Sequence, residues 1–178
     1  TALNLSNLTI TGTMELTRLY EFNKSMNVYL SGTLRHKDNN GSHEYNISLT
    51  AQNLTVAPGG SITGERRGYP GGVGGTAAES GSGPGGGGGN VNADGGGGRH
   101  GGYGAPNGSV NALLRVYGSI AVPRDLGSGG GGAAGAGIRG GSGGGAIFIN
   151  ATDTLNNSGV MTVVGGVGGT GNSEGGGG

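Results

Sequence analysis

The chain has 178 residues, 49 of them glycine and five proline, and its ten basic and ten acidic side chains cancel. Leu, Ile, Val and Phe together supply only 33 residues, a supply of apolar surface usually associated with disorder. No apolar run approaches the roughly 18 residues of a membrane span, no basic excess marks a nucleic-acid surface, and glycine in blocks of four and five excludes the collagen period.

Glycine divides the chain. Residues 1–57 hold three, residues 58–178 hold the other 46, and the break falls at Pro58-Gly59-Gly60. Two regions are expected: a strand-rich segment over 1–57 and a glycine-rich repeat region over 58–178.

In the first region, Leu3-Asn4-Leu5-Ser6 and Leu8-Thr9-Ile10-Thr11 alternate apolar and polar residues, with a slip at Asn7. Alternation of period two is the mark of a half-buried strand. Residues 13–24 fit a short helix or another strand. Val28-Tyr29-Leu30 reads as a strand continuing towards Leu34, and Asp38-Asn39-Asn40-Gly41-Ser42 as a turn. Residues 45–51 alternate over seven positions, and Leu54-Thr55-Val56 leads into the glycine region.

The second region predicts short strands at 61–63, 110–122, 146–151 and 160–164, separated by glycine blocks. Gly71-Gly72-Val73-Gly74-Gly75-Thr76 recurs letter for letter as Gly165-Gly166-Val167-Gly168-Gly169-Thr170, 94 positions later. Upstream of the two copies, Ser61-Ile62-Thr63 matches Val160-Met161-Thr162 with a shift of one. Shared flanks argue for a structural repeat. The expected class is all-β, a β-solenoid of stacked strands. The glycine blocks fit either flexible linkers or polyproline II segments of three residues per turn, which pack closely because they carry no side chains. Spaced Tyr69, Tyr103, Val73 and Val167 favour the ordered alternative.

Asparagine carries the main chemical signal. Sixteen Asn and 28 Ser or Thr predict about 2.5 Asn-x-Ser/Thr triplets by chance. Nine occur, at Asn4, Asn7, Asn23, Asn40, Asn46, Asn53, Asn107, Asn150 and Asn156, none with proline in the middle. On an alternating strand the sequon Asn and its Ser or Thr share the solvent face, so Asn4, Asn7, Asn46, Asn53 and Asn150 would carry a sugar away from the packed face. N-glycosylation implies secretion and an extracellular location.

Catalytic and metal-binding patterns are weak. Gly81-x-Gly83-x-x-Gly86 is nearly guaranteed at this glycine content, and no helix is expected after it. His36, His43 and His100 lack ligand spacing and read as exposed polar residues. Asp94, Asp125, Asp153 and Glu174 lie near glycines without a calcium nonapeptide pattern and read as turn caps. No catalytic, cofactor or metal residue is assigned, and the chain is expected to be no enzyme.

Tyr117-Gly118-Ser119-Ile120-Ala121-Val122-Pro123-Arg124-Asp125-Leu126-Gly127-Ser128 and the four glycines after it resemble a segment of large secreted glycine-rich β-helix repeat proteins. Residues 62–72 look like the element before that segment in the family, and residues 143–169 like the one after it. The resemblance spans about 54–178 and implies an extracellular, repeat-built, non-enzymatic chain. By composition the chain is also similar to phage tail-tip adhesins built from glycine-rich polyproline II segments. The expected function is a structural subunit of an extracellular fibril, coat or appendage, with copies of itself and N-glycans as partners. The alternative is an adhesin that binds carbohydrate or a surface, with Tyr69, Tyr103 and Tyr117 as stacking platforms.

Overall fold

The computed structural model describes residues 2–3, 7–17, 21–22, 27–105, 116–119, 121–171, 175 and 177–178. Among them every regular element is a strand: Ala2–Leu3 (β1), Asn7–Ile10 (β2), Thr13–Leu16 (β3), Glu21–Phe22 (β4), Asn27–Leu30 (β5), Thr33–His36 (β6), Ile47–Val56 (β7), Ser61–Thr63 (β8), Ile147–Asn157 (β9) and Val160–Thr162 (β10). The protein is all-β, and these strands pair in parallel. Two compact units form, one from residues 1–37, 44–64 and 147–163, the other from 38–43, 65–146 and 164–178.

The first unit holds two four-stranded sheets, in the orders β2-β5-β7-β9 and β3-β6-β8-β10, and the short pair β1-β4. Alternation assigns the faces. Ile10, Val28, Leu30, Leu54 and Val56 from one sheet share a buried core with Leu16, Leu34 and Ile62 from the other. Pairing places like residues in columns. Leu8, Val28, Leu54 and Leu155 lie in register across the first sheet, and Met14, Leu34, Ile62 and Met161 across the second.

Short corners join the sheets: Thr11-Gly12, Ser31-Gly32, residues 57–60, and Ser158-Gly159. The ladder continues through them, with Ser31 N donating to Ile10 O at 2.9 Å, Ala57 N to Leu30 O at 2.8 Å and Ser158 N to Val56 O at 2.8 Å. A Cβ on Gly32 would lie 2.1 Å from Gly12 O, and one on Gly159 would lie 2.2 Å from Gly60 O. Glycine stands there because the neighbouring strand connection passes too close for any side chain.

Several expected elements take a different form. The single strand from Val28 towards Leu34 is two strands, β5 and β6, because Ser31-Gly32 turns the chain from one sheet to the other. The undecided stretch 13–24 is strand at β3 and β4, since residues 33–36 offer Thr13–Leu16 a parallel ladder. Residues 47–51 and 54–56 merge into β7, which Tyr45 and Asn46 precede, with a register shift between Ala51 and Asn53. The slip expected at Asn7 adjoins residues 4–6, outside the described residues. In the expected strand 110–122, residues 110–115 and 120 lie outside them, and 116–119 contribute one isolated bridge, from Tyr117 to His100.

In the second unit glycine segments bind one another through the backbone, with a period of three residues. Tyr69, Gly72 and Gly75 donate to the carbonyls of Gly127, Gly130 and Ala133 at 3.0, 2.9 and 2.9 Å. Those three residues donate onward to Gly144, Gly141 and Ile138 at 2.8, 2.9 and 3.1 Å. Gly140 and Gly143 close the circuit by donating to Gly72 and Tyr69, both at 2.9 Å. Residues 127–133 are central, since Gly129 and Gly132 also donate to Ser82 and Glu79 while accepting from Gly87 and Asn90. Buried backbone polar groups are thereby paired, an arrangement a flexible linker does not have.

Candidate functional site

The sequon asparagines fall in different environments. Asn7, Asn40, Asn150 and Asn156 are exposed, whereas Asn46 and Asn53 are half-buried. Asn4, Asn23 and Asn107 lie outside the described residues. Asn46 was expected to face solvent with Ser48. Ser48 does so, but Asn46 precedes β7 and its Oδ1 is buried with no hydrogen-bond partner among the described residues.

Parallel pairing gathers distant asparagines into one rank. Asn7, Asn27 and Asn53 occupy the same register position of β2, β5 and β7, with Thr154 of β9 next in line. Asn53 Nδ2 donates to Asn27 Oδ1 at 2.8 Å, and Asn27 Nδ2 donates to Asn7 Oδ1 at 3.2 Å. Stacked side-chain amides of this kind reinforce parallel, in-register strands. The adjacent outward rank is Thr9, Tyr29, Thr55 and Asn156. Sequons at 7, 53 and 156 thus share one sheet face, with Asn7 and Asn53 two strand spacings, about 10 Å, apart. Asn27 is no sequon and sequence reasoning passed over it. The signal was available, because Asn7-Leu8-Thr9-Ile10-Thr11-Gly12-Thr13-Met14 repeats in type as Asn27-Val28-Tyr29-Leu30-Ser31-Gly32-Thr33-Leu34.

Across the second sheet, Thr33 Oγ1 and Ser61 Oγ share a hydrogen bond of 3.0 Å, and Arg35 Nε lies 2.9 Å from Glu15 Oε2. Both groups of that ion pair are partly exposed, so it adds little stability. His36 corrects the expectation of an exposed histidine. It points inward from β6, fully buried, and its Nδ1 donates to the Lys37 carbonyl at 2.8 Å. His43 and His100 are exposed. Among the described residues no group of three His, Cys, Asp or Glu side chains is placed to hold a metal, and no helix is long and apolar enough to cross a membrane.

The second unit contains a polar knot around Tyr117. Its hydroxyl donates to the Leu126 carbonyl and accepts from Ser128 Oγ, 2.8 Å away, while Ser128 Oγ accepts from Gly85 N at 3.0 Å. His100 meets the Tyr117 ring edge-on, with centroids 5.1 Å apart. Tyr69 is half-buried and Tyr103 is 87% exposed. Of the three tyrosines considered as stacking platforms, two are therefore engaged in packing.

Burial pushes the Tyr117 hydroxyl up to about 12, assisted by Tyr69 and Asp125 and opposed by its bonds with Ser128. Burial and Asp125 also raise Tyr69. An unfolded tyrosine ionises near pH 10. Tyr117 therefore stabilises the fold in full below pH 10, and this contribution is lost as pH rises from 10 to 12, where the unfolded chain releases its proton first. The urea midpoint is expected to fall over that window, and to fall less steeply in Tyr117→Phe. Equal slopes for the two proteins would show that the hydroxyl is not held as described.

The chain matches no family model, no curated protein and no solved structure.

Proposed function

We propose that this protein is a non-enzymatic structural subunit of an extracellular, N-glycosylated fibril, coat or appendage that assembles head to tail. The observation that carries the reading is that, among the described residues, both sheets end in strands with no further strand beside them. β2 and β3 form one edge and β9 and β10 the other. Leu155 stands in a column whose inner members Val28 and Leu54 are buried, yet it is 51% exposed. Unpaired edges add strands from other chains unless something blocks them. Because the two ends differ, their contact is heterologous and extends into a filament unless rotation closes a ring.

The finer architecture belongs to the same proposal. Stacked parallel strands joined by short corners support a β-solenoid. The period-three hydrogen bonds of the glycine segments support polyproline II geometry, which has three residues per turn. The likeness to secreted glycine-rich repeat proteins supports an extracellular location, with the sequons as glycan sites. The adhesin reading keeps one favourable observation, the exposed ring of Tyr103; binding of a monomeric form to a glycan array would favour it.

The protein produced through a eukaryotic secretory pathway is expected to form filaments in electron micrographs. Peptide mass spectrometry is expected to find glycans at Asn7, Asn40, Asn150 and Asn156, with lower occupancy at Asn53, whose Nδ2 is engaged with Asn27. Unglycosylated, strictly monomeric protein from that source would overturn the reading.

A further inference from the structure

The proposed assembly leaves open which surfaces meet, and one glycine points to them. Residues 1–57 contain three glycines. Gly41 has a φ of 108°, which favours glycine. Gly32 is required by close approach, since its Cβ would lie 2.1 Å from Gly12 O. Gly12 has neither reason: its φ is outside the left-handed region, and a Cβ placed on it would meet nothing within 4 Å.

The other corners explain what Gly12 is suited to. The missing Cβ of Gly32, Gly60 and Gly159 each faces a backbone carbonyl of the preceding strand pair, Gly12 O, Leu30 O and Gly60 O, at 2.1, 2.4 and 2.2 Å. Gly12 holds the same place at the first strand pair. Its Cβ position therefore faces where a preceding strand pair would pass.

We propose that this pair is β9–β10 of a second copy, so that the β2–Thr11-Gly12–β3 corner of one molecule seats in register on the β9–Ser158-Gly159–β10 corner of the next. This rests on the head-to-tail reading above. The fit is specific in length and chemistry. Both corners have two residues, Thr-Gly and Ser-Gly, as does the Ser31-Gly32 corner that already stacks on Thr11-Gly12 within the chain. In that register Leu8 lands on Leu155 and Met14 on Met161, which continues the two apolar columns across the joint. Ile10 lands on Asn157, whose Oδ1 accepts from Gly159 N at 3.2 Å. Thr11 N is then placed to donate to the neighbour's Asn157 carbonyl, as Ser31 N does to Ile10 O. Gly12 passes over the neighbour's Gly159 carbonyl, where no side chain fits.

The test uses the full chain, with sedimentation and electron microscopy of wild type, Gly12→Ala and Leu155→Asp. Gly12→Ala is expected to fold with an unchanged thermal midpoint and to raise the critical concentration for assembly by about tenfold or more. Leu155→Asp changes a side chain that is half-exposed in the single chain and is expected to do the same, which keeps the test independent of any one variant's folding. Filaments with unaltered critical concentrations in both variants would overturn the joint and leave the subunit reading standing. A wild type that stays monomeric at every concentration would overturn both.

Discussion

A Gly131→Ala chain is expected to lose the ordered packing of its second unit. Gly131 is buried in the central glycine segment, and its N donates to Gly96 O at 2.8 Å. A Cβ there would lie 2.0 Å from Gly88 O and 2.4 Å from Gly88 C. Overpacking in an ordinary core costs about 1–3 kcal/mol because side chains shift to make room. Here the obstructing atoms are backbone, itself held by hydrogen bonds at period three, so the cost is expected at about 3 kcal/mol or more. Gly102→Ala is the matched control: exposed, with nothing within 4 Å of the new Cβ and no left-handed φ. It is expected to be neutral or stabilising by up to about 1 kcal/mol. Hydrogen exchange of amides 127–133 reads the difference directly. Equal protection in the two variants would mean that the glycine segments are not packed at these distances.

Leu54→Ala carries the second large effect. Leu54 has 0% exposure and stands between Val28 and Leu155 in its column. Truncating a fully buried leucine costs about 2–5 kcal/mol, the transfer loss plus the cavity left behind. In a chain of this length that corresponds to a fall in Tm of roughly 4–20 °C. Leu155→Ala, in the same column but 51% exposed, is expected to cost the single molecule less than about 1 kcal/mol. Similar losses in thermal melts of the two variants would contradict the assignment of Leu155 to an open end.

Much of this architecture is legible locally. Period-two alternation marks β2 and much of β7, because a strand's two faces are dictated by neighbours along the chain. The match of Ser61-Ile62-Thr63 to Val160-Met161-Thr162 anticipates a pairing that the fold makes residue for residue. The Asn7–Met14 and Asn27–Leu34 likeness was equally available, hidden by substitutions such as Thr9 for Tyr29 that keep the face and change the letter. The sequons are visible as triplets, while their exposure is not: Asn46 and Asn53 read like Asn7 in sequence but are half-buried.

By itself, then, the sequence determined the all-β class and the faces of several strands, since each depends on adjacent residues. The tertiary structure decided the partners that no likeness between segments marks. Alternation states which way a side chain points and is silent on which strand lies alongside, so the return of the chain at Ile147 to pair with Ile47, 100 positions earlier, had no local signature. The burial of His36 goes with the pairing of β6 to β3, and the engagement of Asn27 with the place of β5 between β2 and β7. Glycine segments are silent in another way. Without side chains they carry no hydrophobic pattern to read, and their order rests on backbone hydrogen bonds every third residue between segments distant in sequence. Gly12 shows the same limit from the other side. In sequence it equals Gly32, and only the fold reveals that one is filled by a neighbouring carbonyl and the other faces open space.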